Sequence, residues 1–331
     1  MILAGDIGGT KTLLGLFDPA GERPTPIHTF AYSTLAHADL TEIIAVFLEE
    51  ERVSGASIAE ACFGVAGPVI DEAAALTNVP WRVDARRVAA AFRLRRVTLL
   101  NDLQAMAYAV PVLTESEVLV LQRGDAEQSR RGNIALIAAG TGLGEALLHH
   151  VEGVTGRFIP SPSEGGHADF AARTEREIAL LRDLTSWYGR ADVEHVVSGR
   201  GLVNIHRHLH PRPCAAGITV GDPDAPPLIS TAALERRCAA CVETLDLFVE
   251  AYGAEAGNLA LRGVTTGGVF VGGGIAPKIR PLMTNGAFMR AFRAKAPLEP
   301  MLDKMPVKII LNAEAGLLGA AVFAASSSET D

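Results

Sequence analysis

Asp6-Ile-Gly8-Gly9-Thr10-Lys11-Thr12 holds the densest set of chemically capable residues near the start of the chain. Glycine lets backbone N–H groups approach an anion closely and adopt positive φ, and the Thr10 and Thr12 hydroxyls and the Lys11 ammonium add donors. An acid beside such a gap suits a hydrated divalent cation. The flanking apolar runs, Leu3 to Ile7 and Thr12 to Phe17, read as two strands joined by a tight turn. A phosphate-binding hairpin and an ordinary Gly-Gly turn both fit these residues. Neither GxxxxGK[ST] nor GxGxxG is present.

The same outline returns at Ile134 to Ala139, an apolar strand followed by Gly140-Thr141-Gly142-Leu143-Gly144 and a second strand over Glu145 to His149. Two such hairpins more than a hundred residues apart suggest a duplicated unit, each half offering a phosphate-facing turn. A third glycine cluster, Gly272-Gly273-Gly274, ends the buried strand from Gly267, where a flat ring or a phosphate can sit against bare backbone.

Asn101-Asp102 stands where a strand over Arg96 to Leu100 meets a helix. Ligands bind at such strand ends in open α/β sheets, and both residue types also serve as helix caps. Phe158 to Asp169 reads as a loop rich in glycine, proline and polar groups, with Glu164 and His167 suited to hydrogen bonding a polyhydroxyl ligand rather than to metal. Cys238-Ala-Ala-Cys241 lies in an apolar helical pattern and reads as core packing. His206 and His210 read as a solvated helix end. Glu145 has no physical account in the sequence.

These residues need elements to hold them. Strands alternate with helices at Leu40 to Leu48, Thr174 to Trp187, about 230 to 256 and Ala313 to Ala325, which points to an α/β layered architecture. Residues 211–228 read as a proline- and glycine-rich excursion, and Ser326 to Asp331 as a disordered tail. The 331 residues favour two domains, and 48% hydrophobic with 21% charged residues is an ordinary globular composition. A net charge of −8 argues against a nucleic-acid surface or a polybasic membrane anchor. The N-terminus shows no signal-peptide pattern and no apolar run is long enough to span a bilayer, so a cytoplasmic protein is expected. The four cysteines are too few for a disulfide scaffold.

In order and spacing these stretches resemble the bacterial glucokinases of the hexokinase, actin and Hsp70 superfamily, over nearly the whole chain. Asp6 to Thr12 looks like the first phosphate motif, Gly140 to Gly144 the second, and Val271 to Ile275 the adenosine motif. Asn101, Asp102, Glu164, His167 and Glu194 are similar to the sugar-contacting residues, and Thr77-Asn78 with Trp81 fits the segment that follows the family's Val-Ala-Gly-Pro strand. The cysteine-rich zinc motif of the ROK group is missing, which argues for the zinc-free branch.

The resemblance implies two RNase-H-like α/β domains flanking a central cleft, a small one of 1–112 with 313–331 and a large one of 113–312. It implies ATP-dependent phosphorylation of D-glucose at the 6-hydroxyl, feeding glycolysis, with Asp102 as base, Asn78 among the sugar ligands, and Asp6 orienting Mg2+ through water. A homodimer without nucleic-acid or membrane partners belongs to the same expectation. Fructose, mannose or N-acetylglucosamine as substrate, ADP or polyphosphate as donor, and a non-catalytic sugar sensor are the alternatives. The sensor's N-terminal DNA-binding module finds no room before the strand that begins at Ile2.

Overall fold

The computed structural model describes residues 1–76, 79–129, 131–152, 158–210, 214–219 and 221–328. The chain divides into two compact units, Met1–Glu115 with Asn312–Asp331, and Ser116–Leu311. No helix among the described residues is long and apolar enough to cross a membrane.

In the first unit β1 (Ile2–Ile7) and β2 (Lys11–Asp18) pair antiparallel, and β3 (Thr25–Ser33) adds antiparallel to β2. β4 (Glu60–Val65) runs parallel to β1, and after a small sheet of β5 (Val69–Ile70), β6 (Ala73–Ala75) and β7 (Arg82–Asp84), β8 (Val97–Asn101) joins β4 in parallel. The main sheet has the order β3-β2-β1-β4-β8. Helix α1 (Leu40–Glu50) starts where the Asp39 side chain accepts the Glu42 N–H, and α2 (Ala85–Phe92) where Asp84 accepts those of Arg86 and Arg87. Ile43, Ile44 and Phe47 of α1 and Val88 of α2 bury one sheet face together with Leu3, Ile7, Leu14 and Phe63.

Strand period two turns Ile2 and Ala4 to the other face, where Ala105 of α3 (Asp102–Ala109) and Leu317, Ala320, Ala321 and Ala324 of the C-terminal helix (Ala315–Ser328) cover them. Asp6 follows on that same face. Small residues let these layers approach: a Cβ on Gly319 would stand 1.7 Å from the Ala105 carbonyl oxygen, and one on Gly316 2.7 Å from an Asp6 carboxylate oxygen.

The second unit repeats the plan. β9 (Val118–Gln122) is followed by β10 (Ile134–Ala139), β11 (Leu143–His150) and β12 (Phe158–Ser163), then by β13 (Gly268–Gly272) and β14 (Val307–Ile310). The order β12-β11-β10-β13-β14-β9 reproduces the first sheet strand for strand, directions included, with β9 added antiparallel at one edge. That agreement carries the duplication expected from the two glycine hairpins. The helices are α4 (Ala126–Ser129), α5 (Glu175–Tyr188), α6 (Gly199–Leu209), α7 (Ala225–Leu234), α8 (Ala239–Gly263), α9 (Arg280–Met283), α10 (Ala287–Arg293) and α11 (Glu299–Leu302). Phe248 and Tyr252 of α8 and Phe288 and Phe292 of α10 join Ile137 and Val271 of the sheet in one core.

Three expectations from sequence are corrected. Phe158 to Ser163 is a strand, not a loop: β12 is an edge strand, and Pro160 and Pro162, two residues apart, lack their N–H on the unpaired side. The helix expected over about 230 to 256 is two helices, parted where Arg236 takes φ 53°, and Pro226 and Pro227 fall within the first turn of α7, whose N–H groups have no helical acceptor. Ser326 to Ser328 continue the C-terminal helix, with the Ser326 and Ser327 hydroxyls donating to the Phe323 carbonyl; residues 329–331 lie outside the described residues.

Gly319→Val would force the C-terminal helix off α3. The expected result is a loss of about 1–3 kcal/mol or more, read as a lower urea midpoint at unchanged slope.

Candidate active site

The first glycine turn is closed by the Gly8 N–H donating to the Lys11 carbonyl at 3.0 Å. Neither Gly8 nor Gly9 takes the positive φ expected of them. Gly8 is needed for room, because a Cβ there would stand 3.0 Å from the Lys11 carbonyl oxygen. Thr34, a residue the sequence reading passed over, braces the turn from beneath. Its hydroxyl donates to the Gly8 carbonyl at 2.8 Å and lies 2.9 Å from the Thr12 hydroxyl, while its N–H donates to the Thr10 carbonyl at 3.0 Å. Thr12, expected among the phosphate ligands, is fully buried in this brace with its hydroxyl turned to Thr34. Thr10 and Lys11 are exposed, and among the described residues no backbone carbonyl takes up the Gly9 or Thr10 N–H.

Asn101 caps α3, its Oδ1 accepting the Leu103 N–H at 3.0 Å and the Gln104 N–H at 3.4 Å, and its Nδ2 donates to the Gly67 carbonyl. Capping is therefore one of its tasks, with one amide hydrogen left over. Asp102, the first residue of α3, is exposed and accepts the Leu103 N–H at 2.8 Å through Oδ1. Asp6, at the end of β1, has its pKa pushed up to about 6, first by burial and then by the Asp102 charge, against the opposing pull of Lys11. No hydrogen bond from the described residues reaches its carboxylate. Two carboxylates so placed fit an oxygen-seeking divalent cation such as Mg2+, held through water, better than they fit each other. Thr77 and Asn78 lie outside the described residues.

In the second unit β10 and β13 are parallel, with Ala138 opposite Gly272, so the turns leaving their C-terminal ends are neighbours. The Gly140 N–H donates to the Gly142 carbonyl at 2.9 Å, and the Gly140 carbonyl accepts the Gly199 N–H at 2.8 Å, at the start of α6. Thr141 is exposed, and Gly144 already lies in β11 opposite Ala138. Gly273 takes φ +80°, and a Cβ there would stand 2.3 Å from the Ala139 carbonyl oxygen, so only glycine fits. A Cβ on Gly140 or Gly274 would meet open space, leaving bare backbone for a ligand. Tyr252 supports both strand ends from α8, its buried hydroxyl accepting the Ala139 N–H at 3.1 Å and lying 3.4 Å from the Gly272 carbonyl oxygen.

Glu164 and His167 are exposed on a turn closed by the His167 N–H and the Glu164 carbonyl at 3.0 Å. The glycines between them press on β11: a Cβ on Gly166 would stand 2.2 Å from the Leu143 carbonyl oxygen, and one on Gly165 2.1 Å from Glu145 Oε2. His167 Nδ1 lies 3.2 Å from Asp192 Oδ2, and this hydrogen bond, the largest cause, raises the His167 pKa. Asp192 was missed in the sequence; its signal is its position two residues before Glu194. Glu194 joins the two motifs, its N–H donating to the Gly166 carbonyl at 2.8 Å and its Oε2 accepting the Leu143 N–H at 2.8 Å. One of its two oxygens is thus engaged by the glycine turn.

A family model described as glucokinase matches residues 3–327. The chain belongs to the glucokinase family. It is 39% identical to a glucokinase of Synechocystis sp., with 98% of each chain covered, and 39% identical to one of Nostoc punctiforme, with 98% of this chain and 99% of that one covered. The crystal structure of a glucokinase from an Antarctic psychrotroph is similar at a TM-score of 0.84 and 29% identity, covering 98% of each chain. A ROK family glucokinase from Streptomyces griseus, solved in complex with glucose and AMPPNP, matches 98% of this chain and 99% of its own at a TM-score of 0.62 and 23% identity, a likeness of fold alone. The fold is the two-domain α/β fold of the actin and hexokinase type that these sugar kinases share.

Within this family fold Glu145 acquires a physical reading. It is 1% exposed, and neither carboxylate oxygen has a hydrogen-bond partner. Burial, then the charge of Glu255, raises its pKa from 4.5 to about 7, while Arg262, 3.8 Å away, pulls the other way. Between those two values the folded protein keeps a proton that the unfolded chain has lost, so this group lowers stability progressively as pH rises through that window and holds it down above about 7. Glu145→Gln is expected to be more stable than the parent at about pH 8 and to match it near about pH 4, as measured by urea unfolding.

Proposed function

We propose that this chain is an ATP-dependent glucokinase, transferring the γ-phosphoryl group of ATP to the 6-hydroxyl of D-glucose at the entry to glycolysis. The observation that carries the reading is the pair Asp102 and Asp6: an exposed carboxylate at a strand end, beside a half-buried one whose pKa its charge helps to raise. A base beside a cation position is what attack by a hydroxyl on a phosphoryl group requires.

In this reading Asp102 accepts the proton of the 6-hydroxyl. Its Oδ1 is steadied by the Leu103 N–H at 2.8 Å. Glu164, His167 and the second oxygen of Glu194, with the spare amide hydrogen of Asn101 and with Asn78, hold the remaining hydroxyls. Asp192 fixes the His167 ring, so that its Nε2 faces outward. A sugar with an inverted hydroxyl leaves one of these groups unpaired, which supplies discrimination. Lys11 and the N–H groups of Gly9 and Thr10 receive phosphate oxygens in the first unit, and Gly140, Thr141 and Gly142 do so in the second. Gly272 to Gly274 give the adenosine a bare backbone surface. Asp6 would hold Mg2+ through water, and the ion when bound neutralises charge on the phosphates. A cytoplasmic homodimer belongs to the same reading, and light scattering behind a sizing column tests the dimer.

Asp102→Asn is expected to keep glucose affinity within about tenfold while kcat falls about a hundredfold or more. Near-normal turnover would remove Asp102 as the base. A product assay with ATP, ADP and polyphosphate against glucose, fructose, mannose and N-acetylglucosamine is expected to give glucose 6-phosphate with ATP as the dominant product. No phosphorylated sugar from any pair would favour a sensor.

A further inference from the structure

Cys238 and Cys241 were read from the sequence as core packing, and His206 and His210 as a solvated helix end. The structure brings Cys214, Cys241 and His206 together instead. His206 on α6, Cys214 in the segment after it and Cys241 in the first turn of α8 place one ligand atom each within 4.8 Å of one another. The Cys214 and Cys241 sulfurs are 4.0 Å apart. Cys238, at the N-cap of α8 and three residues before Cys241, makes no cap hydrogen bond; it is not one of the three whose ligand atoms lie within 4.8 Å of one another.

The histidine supplies the second, independent observation. His206 is 4% exposed, and its Nε2 is buried without any hydrogen-bond partner. An imidazole nitrogen in an apolar core with nothing to bond to is costly unless something occupies that place. The Nε2 of its neighbour His210, ring centroids 5.6 Å apart, also lacks a hydrogen bond but lies 3.4 Å from a Glu243 oxygen, and only His206 belongs to the cluster with Cys214 and Cys241 among the described residues.

We propose that His206, Cys214, Cys238 and Cys241 form a structural site for a single thiophilic divalent ion, zinc by its chemistry. Three sulfurs and one imidazole are a complete tetrahedral zinc set, and Zn–S bonds of about 2.3 Å place sulfurs about 3.8 Å apart; the Cys214 and Cys241 sulfurs stand 4.0 Å apart, and Cys238 is the fourth ligand that turns to the ion when it binds. The ion displaces the thiol protons to solvent and ties the segment between α6 and α7 to the start of α8. None of the four is a residue assigned to sugar or nucleotide, so the site acts on stability and not on the reaction.

The test is the metal content of untagged protein purified without chelator, by inductively coupled plasma mass spectrometry. About one zinc per chain is expected, and cobalt(II) reconstitution is expected to show thiolate-to-cobalt charge-transfer absorption. Cys214→Ser and His206→Gln are expected to lose the zinc, and chelation is expected to lower the thermal transition of the parent but not of Cys214→Ser. Parent protein that stays metal-free after incubation with zinc and dialysis overturns the proposal, and needs no variant to fold. So does a thiol titration of denatured protein that finds two thiols missing until reductant is added, since the pair at 4.0 Å would then be a disulfide. Zinc retained undiminished by both variants overturns it as well.

Discussion

Two acids close to one sheet face, one of them half-buried, set the terms on which the N-terminal unit is built. Asp6 sits in the row of Ile2 and Ala4, under the C-terminal helix, and Asp102 opens α3 beside it. Burial raises the Asp6 pKa before any neighbour acts, and the Asp102 charge raises it further. Gly316 brings the C-terminal helix close to the Asp6 carboxylate, which reduces the water that can screen that repulsion. A hydrated cation placed between two such carboxylates would relieve it. The last helix of the chain is thus part of the first motif's surroundings, and the small residues Ala105, Gly316 and Gly319 are what allow it to come so close.

The second unit meets a different requirement with the same topology. Parallel β10 and β13 end side by side, and glycine leaves their turns without side chains where Gly140 and Gly274 face open space. Stripping side chains away exposes polar backbone, so the groups not offered to a ligand must be bonded elsewhere. Tyr252 takes the Ala139 N–H, Gly199 occupies the Gly140 carbonyl and Glu194 takes the Leu143 N–H. Glu194 and the Gly165-Gly166 pair then bind the segment of Glu164 and His167 to the same turn, so these segments of the unit form one packed body. Glu145 lies beneath them as a buried acid without a hydrogen bond, with Arg262 3.8 Å away, so its ionisation costs stability as pH rises.

Much of this was legible in the chain because glycine and strand periodicity are local signals. The doubled hairpin outline at Gly8-Gly9 and Gly140 to Gly144 foretold two sheets of one topology, and the acids at Asp6 and Asp102 fell at strand ends where they were expected. The direction of the Thr12 side chain was not legible, because it depends on a partner 22 residues away, Thr34. Pro160 and Pro162 suggested a loop because a sequence does not say which strand lies at an edge.

By itself the sequence determined the motifs, their order and the elements that carry them, since backbone freedom and hydrophobic period are properties of neighbouring residues. Which oxygen of Glu194 is engaged, which ring Asp192 orients, and that His206 meets cysteines 8 and 35 positions on, at 214 and 241, were decided only by the tertiary structure. The physical reason is that burial and partnership arise between segments distant in the chain. Asp6 shows both halves: its residue type and strand-end place are written in the first motif, while its raised pKa comes from α3 and the C-terminal helix, packed over it from elsewhere in the chain.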